Sequence, residues 1–379
     1  MQERKLLKRI ISILTIFCYI VTAGVGFFYF AYYKEINRIY DVGMVVKTQY
    51  LHNATIKQML KGAVRGMVES LEDPYSVFMD AKEYQDLQNY IHGSFGGIGI
   101  YVEITKDKKL IVSSPIEGTP AHKAGVKPGD VIIKIGETFT SDLEYDESIA
   151  RMRGEPGTDV NIGIMREGVS NLLEFNLTRE IIDIPTVESS VLDNGIGYMR
   201  LKLFSSNTDE AVWEQLQDLN TQGIKALVLD LRDNPGGDLD SAVNIANYFV
   251  TDGPIVYIVN KTGETHSYAM ADPNKFGLPL VVLINGGSAS ASEVLSGAIK
   301  DYETGVLIGE KSFGKGIVQG VFNLEGGEGL KITTSKYLTP NKTDIHEVGI
   351  NPDIVVTAEN DKEDIQLNQA LDYLRNQLK

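Results

Sequence analysis

At 379 residues the chain is long enough for two or three domains, and its formal net charge of −15 argues against a nucleic-acid or anionic-membrane surface, which needs clustered Lys and Arg. Its partners are expected to be proteins or peptides. The single cysteine, Cys18, excludes an intramolecular disulfide framework and any cysteine-based metal cluster.

Ile10 to Tyr33 holds no charged residue, and at roughly 1.5 Å per residue a helix of that length clears a hydrocarbon core of about 30 Å. Arg4, Lys5, Lys8 and Arg9 precede it, so residues 10–33 read as a transmembrane anchor. Residues 1–9 are then cytoplasmic and everything after Lys34 lies outside the cell membrane. A cleaved signal peptide is the alternative, but no small-x-small site closes the apolar run before Lys34. Between Ile36 and Leu71 apolar residues recur at helical spacing (Ile56, Met59, Leu60, Ala63, Val64, Met67), which predicts one or two amphipathic helices stopped by Asp73-Pro74. Ala81 to Ile91 reads as another helix, making residues 34–92 a helical N-terminal region.

From Gly93 the texture changes to glycines and short strands, and residues 93–180 read as a small β-rich module. Strands are expected at Tyr101 to Thr105, Leu110 to Ser113, Val131 to Ile135, Val160 to Arg166 and Leu172 to Leu177, with helices at Pro120 to Val126 and Tyr145 to Met152. Gly97-Ile98-Gly99 lacks the third glycine and following helix of a dinucleotide fingerprint. It is either a bare glycine turn or, with Ile100, a nest of N–H groups for a peptide C-terminal carboxylate beside a strand edge, Ile98 and Ile100 lining the place of the last side chain.

Beyond Ile181 strands and helices alternate, as in an α/β core filling residues 181–379. Strands are expected at Gly195 to Leu201, Ile224 to Asp230, Ile255 to Val259 and Leu278 to Ile284, and helices at Thr208 to Leu219 and Leu239 to Val250. Ligands of such folds bind beyond the carboxyl ends of strands, where the Asn234-Pro235-Gly236-Gly237 turn and the Ser288, Ser290, Ser292 cluster both fall. Those serines open a helix (Ser292 to Tyr302), whose unpaired N–H groups and positive dipole end favour a developing oxyanion. Lys315 follows, between Gly314 and Gly316. This is the layout of a nucleophile and its base. Ser290 to Glu293 is equally a capping box, S-x-x-E, which would do no more than start the helix. A phosphate loop is excluded because Gly316 offers no hydroxyl for Mg²⁺ and a strand, Ile317 to Phe322, follows in place of a helix. The five histidines share no local signature, so a Ser-His-Asp triad through His266 or His346 lacks support. No metal-ligand spacing and no cofactor motif occurs. Asp364 to Leu378 reads as an amphipathic helix that packs on the core or on a second subunit of a homodimer.

Seven motifs in order then resemble one family, the C-terminal processing (tail-specific) serine peptidases with a PDZ domain and a Ser/Lys active site. They are Ser70 to Ser76 (SLEDPYS), Gly97-Ile98-Gly99, Ala124 to Asp130 (AGVKPGD), Asp230 to Gly237 (DLRDNPGG), Gly287 to Glu293 (GSASASE), Gly314 to Gln319 (GKGIVQ) and Gly349 to Asp353 (GINPD). The resemblance implies an α/β core of crotonase or Clp-protease type with an inserted PDZ domain. It implies Ser290 as nucleophile, Lys315 as base and Gln319 as the residue orienting the lysine. For the oxyanion hole it implies the N–H groups of Ala291 and of Gly236 or Gly237. Asp230, Arg232 and Glu293 match its acid, arginine and glutamate, and are expected to form one ion-pair network bracing both loops of the hole. Arg153, after the helix flanking the PDZ groove, is expected to pair with a carboxylate across the domain boundary. Neutral Gln319 suits its place, since a carboxylate there would hold the lysine charged. Two other functions compete: an inactive PDZ-type scaffold that only binds C-termini, and an acyl-CoA hydratase on a related core.

Overall fold

The computed structural model describes residues 2–105, 109–183, 185–250, 252–270, 276–357 and 363–379, so Met1 of the expected cytoplasmic tail lies outside it. The chain divides into two compact units, Met1–Phe78 and Met79–Lys379.

In the first unit, helices span Gln2–Ala31, Tyr33–Gln49 and Ile56–Glu69. Ile11–Ala31 is long and apolar enough to cross a membrane. The third helix starts where Thr55 and Gln58 cap each other, the Gln58 N–H donating to Thr55 Oγ1 at 3.2 Å and the Thr55 N–H to Gln58 Oε1 at 2.9 Å.

In the second unit, helix Ala81–Ile91 begins at Asp80, whose carboxylate accepts the N–H groups of Lys82 and Glu83. A β-rich module follows. Its sheet runs in the order Ile100–Ile104, Leu110–Pro115, Val131–Ile135, Asp159–Met165, Leu173–Thr178, so Ile100–Ile104 is an edge strand. Ile98, Val112, Ile132, Ile162 and Ile164 form its core. The module joins the rest through a two-stranded neck, Ser94–Gly97 pairing antiparallel with Glu180–Asp183. It is thus an insertion whose entry and exit strands are zipped together.

The remaining residues build a six-stranded sheet in the order Val187–Leu192, Ile196–Leu201, Ala226–Asp230, Leu280–Ile284, Val306–Gly309, Ile354–Val355, parallel except at its first strand. Period-two alternation divides the side chains between two faces. Leu227, Leu229, Val282 and Ile284 pack toward helices Thr208–Thr221, Leu239–Asn247 and Ala291–Asp301. Ala226, Val228, Val281 and Leu283 pack against Ala370 and Leu374 of helix Ile365–Gln377. The C-terminal helix therefore covers its own sheet. Both faces being covered, residues 226–229 and the strand Leu280–Ile284 are apolar throughout, each buried Leu or Val contributing about 1.5–3 kcal/mol before entropy is counted.

The strand at Ile255 does not join this sheet, contrary to a simple alternation of strands and helices. Pro254–Asn260 instead pairs antiparallel with Thr265–Met270 on one side and Gly329–Leu338 on the other, in a second sheet that also holds Ile317–Asn323.

Candidate active site

Three neighbouring parallel strands end at Asp230, Ile284 and Gly309, and the loops that follow carry residues 231–238, 285–290 and 310–316 to one end of the sheet. This is where an α/β sheet leaves a crevice.

The three serines of the second loop do different work. Ser288 and Ser292 are fully buried, their hydroxyls donating to the carbonyls of Leu231 and Asn234 at 2.8 and 2.9 Å. They peg the second loop to the first. Ser290 is half-buried and stands at the N-cap of helix Ala291–Asp301. Its backbone sits at φ 55°, ψ −114°, a region that costs a non-glycine residue on the order of 1–3 kcal/mol and holds its side chain out of the helix.

Glu293 supplies the restraint. Its carboxylate is fully buried and accepts four hydrogen bonds, from the Ser290 N–H (2.9 Å), the Ser312 hydroxyl (2.6 Å), the Gly314 N–H (2.7 Å) and the Lys315 N–H (2.8 Å). The glutamate half of the capping box is real, but the same carboxylate also fastens the lysine loop. Gly314, at φ 93°, and Gly316, where a Cβ would lie 2.7 Å from the His346 nitrogen, let the chain make this approach. Burial, helped by the charge of Lys331 and opposed by Glu293, holds the Lys315 ammonium below the usual lysine range.

A glycine is required at 236, since a Cβ there would lie 2.8 Å from Ser290 Cβ and 2.9 Å from the Ala291 nitrogen. The Gly236 N–H is taken by Asn234 Oδ1 at 2.9 Å. The Gly236 carbonyl accepts the Phe204 N–H at 3.0 Å, so in a trans peptide the Gly237 N–H points the opposite way. Among the described residues neither it nor the Ala291 N–H meets a protein acceptor.

Family comparison fits this geometry. Residues 195–356 match peptidase family S41, residues 96–177 a PDZ domain, and residues 28–83 the N-terminal domain of the activating protease CtpB. The chain is 38% identical to a carboxyl-terminal-processing protease of Synechocystis over 82% of its own length and 76% of the relative's. It is 36% identical to the carboxy-terminal processing protease CtpA of Bacillus subtilis, covering 85% and 68%. Among solved structures it resembles a photosystem II D1 C-terminal processing protease, with a TM-score of 0.51, 32% identity, and coverage of 83% of this chain and 86% of that one. The chain belongs to peptidase family S41.

It is a serine peptidase of the C-terminal processing type, with a helical N-terminal region, a PDZ domain and an α/β S41 core. In this S41 peptidase Asp230, Arg232 and Glu293 do not form one network. The Arg232 guanidinium pairs with buried Asp230 (Nη2 to Oδ2, 2.6 Å) and with Asp364 through two bonds of 2.7 and 2.8 Å, while the Tyr198 hydroxyl donates to Asp230 at 2.8 Å. Asp364 also caps the C-terminal helix, accepting the Leu367 N–H, and Arg232 holds its carboxyl below the usual range. This cluster ties the end of a sheet strand to the C-terminal helix. Glu293 acts apart from it, on the Ser290 and Lys315 loops.

Gln319 follows a β-bulge, and among the described residues its buried Nε2 has no hydrogen-bond partner. In the PDZ domain Gly99 takes φ 75° and lies against Thr119, where a Cβ would come within 2.3 Å of that side chain. Ile98, expected to line the groove, is buried in the domain core, its carbonyl accepting the Ala121 N–H, whereas Ile100 is half-buried on the edge strand. Gly97 lies in the neck. Arg153 makes no carboxylate pair among the described residues; its guanidinium stacks on Phe95 of the neck at 4.7 Å from the ring centroid. Its main chain leaves the preceding helix extended toward the neck, which brings the aromatic face within reach.

Two residues escaped sequence reasoning. Fully buried Asn234 donates to the Leu201 carbonyl at 2.9 Å, holds the Gly236 N–H, and accepts the Ala289 N–H and the Ser292 hydroxyl on its own carbonyl. Tyr337, from the second sheet, reaches Lys315. The DNPGG run signalled a turn at Asn234, whereas nothing local marks Tyr337.

Proposed function

We propose that this S41 peptidase is a membrane-anchored endopeptidase that takes up free apolar protein C-termini through its PDZ domain and cleaves with a Ser290/Lys315 dyad. The observation that carries the dyad is Glu293, one buried carboxylate bonded to the backbone N–H groups of both residues. Ser290 Oγ attacks the scissile carbonyl carbon while the neutral Lys315 amine accepts its proton, and the oxyanion is met by the N–H groups of Gly237 and Ala291. Collapse breaks the C–N bond, Lys315 returns the proton to the leaving amine, and water then hydrolyses the Ser290 ester with Lys315 again as base. Gln319, whose buried amide nitrogen has no partner among the described residues, is suited to orient the amine without a charge. Asp230 and Arg232 support the hole indirectly by fixing the end of the strand that precedes its loop.

Residues 93–180 are proposed as the PDZ domain and 181–379 as the catalytic core. The exposed edge at Ile100–Ile104 supports strand addition by the substrate's tail. Arg153, resting on Phe95 in the neck, would pass occupancy of the groove to the core. A peptide ending in apolar residues is therefore expected to be cut faster than the same peptide amidated or ending in Asp, with the ratio shrinking in Gly99→Val. Equal rates for free and amidated tails in the wild-type enzyme would reduce the PDZ domain to a spacer.

Residues 10–33 are proposed as the anchor, residues 1–9 inside and 34–92 the first outward segment, on the strength of the apolar helix and its basic flank. Protease added to intact spheroplasts should digest the bulk of the chain and leave Met1 to about Lys34 protected. A mature N-terminus beyond Lys34 would make the helix a signal sequence, and a protected catalytic core would reverse the orientation.

A further inference from the structure

Tyr337 stands on the Gly329–Leu338 strand with only 3% of its surface exposed, and the mechanism above makes no use of it. A buried phenol needs partners for its polar end. Its hydroxyl donates to the Lys315 carbonyl and its backbone N–H donates to the Gly316 carbonyl at 3.0 Å, with the Ser290 side chain beside the phenol. Lys315 is thus gripped at both ends of its main chain, its N–H by Glu293 and its carbonyl by Tyr337. A phenol has one proton, and that proton is committed to the Lys315 carbonyl. Burial keeps the phenol neutral far above its ordinary range, with the charge of Glu293 adding to the effect, so the donor is present at every working pH.

We infer that Tyr337 is a positioning residue for the hydrolysis: its hydroxyl and its backbone N–H fix the main chain of the Lys315 loop and so register the base against Ser290. The inference rests on the Ser290/Lys315 reading. It adds a second task to the sheet that already carries Gln319. A group so placed acts through Ser290 and Lys315 and not on the substrate, so its loss should appear in kcat and leave KM alone. Loosening Lys315 should also return its amine toward water and raise its pKa, moving the acidic limb of kcat/KM to higher pH.

The test uses the full-length chain, a fluorogenic peptide with a free apolar C-terminus, and the variants Tyr337→Phe, Ser290→Ala and 3-fluorotyrosine at position 337. Tyr337→Phe keeps the ring and its packing, and thermal melting checks that the fold is retained. The expected result is a kcat lower by about 10- to 100-fold, a KM within about twofold, an acidic limb moved to higher pH, and recovery of both with 3-fluorotyrosine, which keeps the hydroxyl. A wild-type kcat and limb in Tyr337→Phe would overturn the assignment. So would a loss of kcat with an unmoved limb that 3-fluorotyrosine fails to restore, since that pattern belongs to packing. Hydrolysis surviving in Ser290→Ala would remove the dyad reading itself, whatever Tyr337→Phe shows.

Discussion

Lys315→Arg is expected to abolish hydrolysis, with kcat/KM lower by about 10³-fold or more, while the protein stays folded. Arginine keeps the positive charge and most of the length, but it does not release its proton in any usable pH range and cannot act as a base. The wild-type pH profile follows from the same property. Burial lowers the pKa of Lys315, and the reactive form is the neutral amine, so kcat/KM should fall as pH drops through that lowered pKa and protonates the amine. The competing histidine readings are tested in the same assay. His266 lies exposed beside Glu264 on the second sheet, and His346 meets the lysine loop through its backbone at Gly316, so alanine at either position should cost far less. Full activity in Lys315→Arg together with its loss in His346→Ala would replace the dyad with a triad.

Glu293→Gln is expected to damage both stability and rate. Each carboxylate oxygen accepts two donors, Oε1 from Ser312 and Gly314 and Oε2 from Ser290 and Lys315. An amide nitrogen in either place turns two hydrogen bonds into two donor–donor contacts. At about 1–3 kcal/mol for each buried donor left unsatisfied, the total is about 2–6 kcal/mol, readable in a urea titration. The Ser290 backbone would also lose a restraint on its strained φ, and kcat is expected to fall about 10²-fold or more. A mere helix cap would cost about 0.5–2 kcal/mol and leave kcat alone. That contrast decides whether Glu293 is a cap or the brace of the site.

Much of this was legible in the residues, for identifiable reasons. Residues 226–229 and 280–284 are apolar throughout because both sheet faces are covered, and the helix at Ala81 begins at an Asp that caps it. The glycines beside Lys315 permit a close backbone approach, Gly316 to His346 and Gly314 to Glu347, Val348 and Gly349. What stayed hidden depends on partners distant in sequence. Arg232 pairs with Asp364, 132 positions away, and no local pattern announces that contact. The strand Gly329–Leu338 mixes Lys, Thr and Ser with Ile and Tyr because it is only half-buried, so neither a polar nor an apolar period stands out. Tyr337 therefore looked like an ordinary strand residue. The expectation of a single network among Asp230, Arg232 and Glu293 failed because charge alone does not show which neighbours a buried carboxylate prefers; Glu293 takes backbone N–H groups where an arginine partner was expected.

Ser290 is expected to form a covalent acyl intermediate with Lys315 as its base, and that intermediate can be trapped before the steady state. Enzyme mixed with excess peptide is quenched in acid within the first turnover, and the proteolytic fragment carrying Ser290 is weighed and sequenced by mass spectrometry. The account predicts a mass increase equal to the acyl part of the substrate, located on Ser290, present in the wild-type protein and missing from Ser290→Ala and Lys315→Arg. An adduct on another residue, or undiminished hydrolysis by Ser290→Ala, would contradict it.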